Sequence, residues 1–130
     1  GIAQASLGAA LDYARKRIQF GQALIKFQVI QFYLADMATE VEAARLMVYH
    51  AAQMVEEKSS KYTKESAMAK LFASEVLDRV ANKALQIHGG YGYMKEFPIE
   101  RHYRDARLLQ IIEGTSEIQK IVIINELMRI

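Results

Sequence analysis

The stretch Gln28-Val-Ile-Gln-Phe-Tyr-Leu-Ala-Asp-Met-Ala-Thr-Glu-Val-Glu-Ala-Ala44 opens the longest regular pattern in the sequence. From Ile30 to Val55, apolar residues recur in alternating steps of four and three. This spacing predicts one long helix, because residues three or four apart lie on the same helix face. Helices with such a seam pack side by side at shallow angles, as in helical bundles. The seam consists of Ile30, Leu34, Met37, Val41, Ala44, Val48, Ala51 and Val55.

Helical patterns continue on both sides of this seam. Residues from Ile2 to about Phe20 predict a first helix that ends at Gly21. A third long helix is predicted from about Thr63 to His88, with an alanine-rich stripe that permits close helix approach. The glycine pair that follows His88 is typical of a helix C-terminus, where one residue adopts a left-handed conformation.

The last part of the chain predicts one short helix and one longer helix. Pro98 fits the first turn of the short helix, and Thr115 is a good N-cap for a helix from Ser116 to about Met128. No strand-like alternation is visible in the sequence. We therefore expect an all-α fold: an antiparallel up-and-down four-helix bundle with a short extra helix before the last one. Residues 1–130 would form a single domain.

Composition excludes several classes of function. The 130 residues contain no cysteine, so disulfides and thiolate sites are excluded. A net charge of +2, with basic and acidic residues interspersed, argues against nucleic acid as a partner. The three histidines have no metal-ligand spacing, and the aliphatic run Ile121–Ile124 is far too short to span a membrane. The chain opens inside a helical pattern without methionine, so we expect a piece of a longer protein.

Glu113 is the first candidate for a chemical role, since it precedes Gly114 and the N-cap of the last helix. In a chain that is mostly helical and apolar, a carboxylate here would face a semi-enclosed site. Desolvation makes such a carboxylate more basic, which suits a general base. The alternative is an ordinary solvated glutamate in front of a helix, and the segment alone favours that alternative.

Two further segments have both a structural and a functional interpretation. Arg17-Ile-Gln-Phe-Gly21 could complement the dipole of the first helix, or its guanidinium could bind a phosphate. Gln86-Ile-His-Gly-Gly-Tyr-Gly92 could be a helix cap and loop, or a segment where a pyrophosphate or ring system contacts the backbone. It has neither the lysine of a Walker loop nor the strand context of a dinucleotide fold.

Together these segments resemble the C-terminal domain of the acyl-CoA dehydrogenases. The motifs, in order, are Arg-x-x-Phe-Gly from Arg17, Gln-x-x-Gly-Gly from Gln86, Arg104-Asp105-Ala106, and Glu-Gly-Thr-x-x-Ile-Gln from Glu113. The resemblance covers nearly the whole chain, and the combination is far more specific than any one motif. Members of this family are flavoenzymes that desaturate acyl-CoA thioesters between the α and β carbons. Their C-terminal helical bundle follows an N-terminal helical domain and a middle β domain, which this sequence does not contain.

The resemblance implies a role for each matching residue. Glu113 would be the catalytic base that removes the α proton as hydride leaves the β carbon for flavin N5. Its backbone N–H would help to polarise the thioester carbonyl, and Gly114 would lie against the thioester. The other matching residues would bind FAD, partly across a subunit interface: Arg17, Phe20, Gln28, Gln86, Ile87, His88, Gly89, Gly90, Thr115 and Glu117. The family usually has an apolar or aromatic residue at the position of His88.

The resemblance also implies partners. These are acyl-CoA as substrate, electron-transfer flavoprotein as acceptor, and other copies of the chain in a dimer of dimers. The compartment would be the cytoplasm of a bacterium or archaeon, or the mitochondrial matrix of a eukaryote. The isolated fragment would be inactive. One alternative is a helical oligomerisation scaffold without chemistry. Another is an acyl-CoA oxidase or a related flavoprotein on the same fold, and Glu113 argues against flavin-dependent monooxygenases.

Overall fold

The computed structural model describes residues 1–129, which form five α-helices and one small hairpin. The predicted all-α bundle with a short helix before the last one is confirmed. Two 3-10 turns, at Leu24–Lys26 and Gly89–Tyr93, join the elements. In chain order, the elements are α1 (Ile2–Lys16), β1 (Ile18–Gln19), β2 (Gln22–Ala23), α2 (Gln28–Glu56), α3 (Tyr62–His88), α4 (Ile99–Leu108) and α5 (Ser116–Met128).

Two ion pairs show how α2 and α3 lie against each other. Lys83 Nζ lies 3.0 Å from an oxygen of Asp36, and Arg79 Nε lies 3.1 Å from an oxygen of Glu40. A step of four residues forward along α2 is thus matched by four residues back along α3, so the two helices are antiparallel. Both ion pairs are at the surface, where such pairs contribute little to stability.

The core is built around α3, which contacts each of the other four helices. The predicted α2 seam is buried in this core from Leu34 to Ala44, but Val48 is 43% exposed and Val55 is 51% exposed. Many of the buried residues are small, which allows the helix axes to approach closely. The core contains Ala10 and Ala14 of α1; Leu34, Met37, Val41 and Ala44 of α2; Val76, Val80, Ala84 and Ile87 of α3; and Ile99 of α4.

The predicted end of the first helix was wrong. Helix α1 ends at Lys16, and the following residues form an antiparallel hairpin in which Ile18 pairs with Ala23. The two residues at its tip, Phe20 and Gly21, have φ angles of 51° and 79°. A tight hairpin turn favours such left-handed residues, because their twist matches that of the strands. The expectation that the chain has no strand was therefore also wrong for this short segment.

A buried hydrogen bond holds the short helix α4 against the start of the chain. Ser6 Oγ lies 3.1 Å from His102 Nδ1 and also donates to the carbonyl oxygen of Ile2 at 2.9 Å. Ser6 is completely buried, so its hydroxyl has a structural role. Among the helices of residues 1–129, none combines the length and apolar character needed to cross a membrane.

Candidate active site

The loop between α4 and α5 has an unusual backbone at the predicted base. Glu113 has φ 55° and Gly114 has φ 84°, so two successive residues are left-handed. A β carbon on Gly114 would lie 2.6 Å from Gln119 Nε2, so only glycine fits there without movement. The chain then enters α5, where the Thr115 hydroxyl accepts a hydrogen bond from the Ile118 N–H at 3.3 Å, as expected for an N-cap.

Two side chains hold the carbonyl groups of this loop. Lys70 Nζ, from α3, donates to the Gly114 carbonyl oxygen at 2.6 Å. Gln119 Nε2, from α5, lies 3.2 Å from the carbonyl oxygens of both Glu113 and Gly114. None of the sequence motifs contains Lys70. Its position could have indicated a special role, because Lys70 lies on the same helix face as Ala73, Ser74 and Leu77, where a lysine is unexpected.

Glu113 lies at the edge of an apolar cleft of about 650 Å³, which is the larger of the two main clefts. The cleft is open to solvent, and Glu113 itself is exposed. The partial exposure of Val48 is explained by its position in the cleft wall. A cleft of this kind can hold an aliphatic group beside a carboxylate. Its other lining residues include Val41, Ala44, Tyr49, Lys70, Ala73, Leu77, Leu109 and Ile112.

The predicted cofactor residues Arg17, Gly89 and Gly90 come together in a second cleft, of about 490 Å³. The guanidinium carbon of Arg17 lies 5.1 Å from the centre of the Tyr91 ring, which is the geometry of a cation–π contact. A β carbon on either glycine would meet no atom within 4 Å, so the backbone there is open to a ligand. This cleft therefore offers a cation, an aromatic face and accessible backbone.

His88 forms part of the inner wall of this second cleft. Its ring stacks on Tyr13 with centroids 4.3 Å apart, and its Nδ1 donates to the Ala84 carbonyl oxygen at 2.8 Å. Burial lowers the pKa of His88, so the imidazole is held in its neutral form. Only 4% of His88 and 3% of Ile87 is exposed. Either residue could therefore touch a ligand only through its backbone or the edge of its side chain.

Three predicted cofactor residues are exposed but do not line the second cleft. They are Phe20, Gln28 and Gln86. Phe20 is 91% exposed at the hairpin tip, where its ring makes an edge contact with Phe27 at a centroid distance of 6.2 Å. Its ring is therefore accessible to a partner or a ligand.

Thr115 and Glu117 lie in a third, polar cleft of about 190 Å³ at the start of α5. A hydrogen bond from its own backbone N–H, followed by one from Thr115, lowers the pKa of Glu117. Ser116 Oγ is buried here without a hydrogen-bond partner among residues 1–129. Arg107 and Lys120 line the same cleft. Two carboxylates, Glu75 and Glu117, line it as well, so the cleft is polar and carries both signs of charge.

The comparison with protein families gives a match over residues 1–128 to the model described as acyl-CoA dehydrogenase, C-terminal domain. The chain therefore belongs to the acyl-CoA dehydrogenase family. It is 57% identical to a probable acyl-CoA dehydrogenase, YngJ, of Bacillus subtilis. It is 54% identical to the acryloyl-CoA reductase (NADH) of Anaerotignum propionicum and to the mitochondrial short-chain specific acyl-CoA dehydrogenase of Bos taurus.

Each of these alignments covers 99% of the chain but only 34%, 32% and 31% of the respective relative. The chain thus spans about a third of the length of the curated relatives it matches. Solved structures show the same fold over a similar share of their length. Butyryl-CoA dehydrogenase of Megasphaera elsdenii is 49% identical, with a TM-score of 0.95 over 98% of this chain and 33% of that one. The FAD complex of PigA is 32% identical, with a TM-score of 0.90 over 96% of this chain and 32% of that one.

Proposed function

We propose that this chain is a single domain, the C-terminal domain of an FAD-dependent acyl-CoA dehydrogenase, and that Glu113 is its catalytic base. The observation that carries the proposal is the position of Glu113. Its carboxylate lies at the edge of an apolar cleft, on a left-handed loop whose carbonyl groups are held by side chains from two helices. Backbone strain of this kind is typical of residues held for a chemical purpose.

The proposed reaction needs a base and a donor to the substrate carbonyl, and this loop supplies both. The acyl chain would lie in the apolar cleft, with its α carbon beside Glu113, which takes the α proton. FAD, when bound, accepts the hydride from the β carbon. The Glu113 N–H has no hydrogen-bond acceptor among residues 1–129, so it is available to the thioester oxygen. Such a donor stabilises the negative charge that develops on that oxygen.

The second and third clefts support the proposal that the chain binds FAD. Arg17 offers a bidentate donor for a pyrophosphate, and the open backbone at Gly89 and Gly90 lets a bulky group approach. Thr115 and Glu117 lie in the polar third cleft at the start of α5, where they could contact the cofactor. The predicted residues fall into separate clefts of one chain. We therefore propose that each chain contacts two FAD molecules, one of them bound mainly by a neighbouring subunit.

Exposed apolar surface supports a homo-oligomer, which we propose to be a dimer of dimers. Helix α5 carries four large apolar residues that are each about half exposed in this chain. Contact with another subunit or another domain of the same protein would remove this surface from water. The four residues are Ile118, Ile121, Ile124 and Leu127.

The direction of the reaction is a separate part of the proposal. Desaturation would pass electrons to electron-transfer flavoprotein, in line with the motif resemblance. The relative named acryloyl-CoA reductase (NADH) is 54% identical, the same as the dehydrogenase of Bos taurus, which supports reduction of an enoyl-CoA as a second candidate function. Glu113 would then deliver the proton to the α carbon. We propose the bacterial cytoplasm or the mitochondrial matrix as the compartment, since relatives come from both kinds of source.

The substitution Glu113→Gln in the full-length protein tests the proposal. It keeps the size of the side chain but removes the base. Loss of a general base typically costs about 10²–10⁴ in rate. We expect FAD to be retained while acyl-CoA oxidation with a dye acceptor and enoyl-CoA reduction with NADH both fall by about this factor. Glu56→Gln, at the exposed end of α2, is the matched control and should keep full activity. A Glu113→Gln enzyme with more than about a tenth of the normal rate would contradict the assignment.

A further inference from the structure

Lys70 is a partly buried lysine whose charge is not used in an ion pair. None of the ion pairs in residues 1–129 includes Lys70, and its one hydrogen bond there goes to the Gly114 carbonyl oxygen at 2.6 Å. A lysine normally keeps its ammonium in water, because the ammonium is strongly hydrated. A short, charge-assisted hydrogen bond to a main-chain carbonyl beside the proposed base therefore calls for a functional explanation.

We propose that Lys70 is a positioning residue that holds the base loop, defined as Glu113–Thr115, in the conformation needed for proton abstraction. This inference rests on the proposed function of Glu113. Left-handed φ angles disfavour a residue with a side chain, so the loop would relax if nothing opposed it. The hydrogen bond from Lys70 fixes the orientation of the peptide group between Gly114 and Thr115, and thereby the backbone of the residue before it.

Lys70 differs from Gln119, the other side chain that holds the loop. Gln119 lies in the first turns of α5, directly after the loop, so it can move together with the loop. Lys70 belongs to α3, the central helix, and lies 44 positions away from Gly114 in the sequence. Within residues 1–129, Lys70 thus makes the one side-chain hydrogen bond that joins the base loop to a helix other than α5. Lys70 and Glu113 also line the same apolar cleft, so this tie lies beside the proposed substrate.

The expected consequence is a loss of rate without a loss of binding. If the loop relaxes, the Glu113 carboxylate and N–H no longer point to the α carbon and thioester oxygen. The apolar cleft and the FAD clefts are left as they were. A displacement of about 1 Å at a reacting group costs on the order of 10²-fold in rate. A residue that merely supported the fold would instead change stability, cofactor content and rate together.

The test compares Lys70→Met, Lys70→Arg and Lys83→Met in the full-length holoenzyme. Methionine keeps the length of the side chain but cannot donate, whereas arginine keeps a charged donor. Lys83 is the matched control, because it is also on α3 and makes one polar contact, with the exposed Asp36. Hydrogen–deuterium exchange of the peptide that covers residues 109–119 reports the loop without any turnover. FAD content, kcat and KM are measured on the same samples.

We expect Lys70→Met to speed exchange in residues 113–116 and to lower kcat by about 10–100-fold, with KM and FAD content within about twofold of normal. Lys70→Arg should restore most of the rate and protection, and Lys83→Met should change neither. Unchanged exchange and kcat in Lys70→Met would overturn the proposal. General unfolding of that variant, with faster exchange throughout α3 and α5, would also overturn it, because Lys70 would then support the whole fold. If Glu113→Gln kept its activity, the proposed function of Glu113 would be wrong. Hydrogen–deuterium exchange in Lys70→Met would still show whether Lys70 holds the base loop.

Discussion

The guanidinium carbon of Arg17 lies 5.1 Å from the centre of the Tyr91 ring, and this contact joins the end of α1 to the turn after α3. None of the ion pairs or side-chain hydrogen bonds in residues 1–129 involves Arg17. An arginine that served only as a helix cap would donate to the last carbonyl groups of α1. Arg17 is instead held over an aromatic face, with its donors available to an anion in the cleft.

Arg17→Ala in the full-length protein should therefore weaken FAD binding and leave the fold intact. We expect a loss of about 1–3 kcal/mol in FAD affinity, as is typical for a hydrogen bond to a charged group. Flavin fluorescence during dilution of the holoenzyme measures the affinity, and circular dichroism of the apoprotein measures the helix content. Arg15→Ala is the matched control, because Arg15 lies in the last turn of α1, two residues before Arg17, and is exposed and outside the cleft. Loss of helix content with normal FAD affinity would make Arg17 a structural residue.

The helices could be predicted because their apolar periodicity is local information. The seam from Leu34 to Ala44 is buried as the spacing indicated. The exposure of Val48 and Val55 could not be predicted, because periodicity shows which face is apolar but not whether this chain covers it. The hairpin after α1 was missed for a different reason. Its turn residues, Phe20 and Gly21, are not the Asn-Gly or Asp-Gly pair that normally marks such a turn.

Only part of the site could be predicted from the sequence, because a sequence motif contains only residues that are close together in the chain. Glu113 and Thr115 belong to one continuous motif, and the structure places them in one loop. The structure also brings Arg17 and Gly89 into one cleft. Lys70 was missed because its contact with Gly114 comes from a distant helix, and no local pattern contains that contact. Phe20, Gln28 and Gln86 lie outside the cleft, so their cofactor role stays a prediction that depends on a neighbouring subunit.

Gly114→Ala should lower activity far more than it lowers stability. The added β carbon would lie 2.6 Å from Gln119 Nε2, so the Gln119 amide must move away from the two carbonyl groups that it holds, and alanine is strained at a φ angle of 84°. We expect a cost of about 1–2 kcal/mol in the free energy of unfolding, and a loss of rate of about 10²-fold because the base is displaced. Thermal unfolding and kcat of the full-length enzyme measure the two effects separately.

Gly8→Ala provides the control for this prediction. Gly8 lies inside α1, and a β carbon there would meet no atom within 4 Å. Replacing glycine by alanine in a helix interior stabilises by about 0.5–1 kcal/mol, so this variant should be slightly more stable and fully active. Equal loss of rate in both variants would show that activity does not depend on the conformation of the base loop.

Acid should destabilise the protein, and part of this effect should come from the buried His88. Burial lowers its pKa below the ordinary value of 6.5, and the hydrogen bond to the Ala84 carbonyl only partly offsets this effect. Well above pH 6.5 the imidazole is neutral in both folded and unfolded chains, so it has almost no effect on stability there. As the pH falls below that value, the unfolded chain takes up the proton and the folded chain does not, so stability is lost by up to about 1.4 kcal/mol per pH unit.

His88→Phe keeps the stack on Tyr13 and removes the proton site, so its melting temperature should fall less between pH 7 and pH 5 than that of the unmodified protein. Burial also lowers the pKa of His102, so part of the acid sensitivity should persist in this variant. His50→Gln, on the exposed side of α2, is the control and should follow the unmodified protein. Identical pH dependence in His88→Phe and the unmodified protein would show that His88 is not the group responsible.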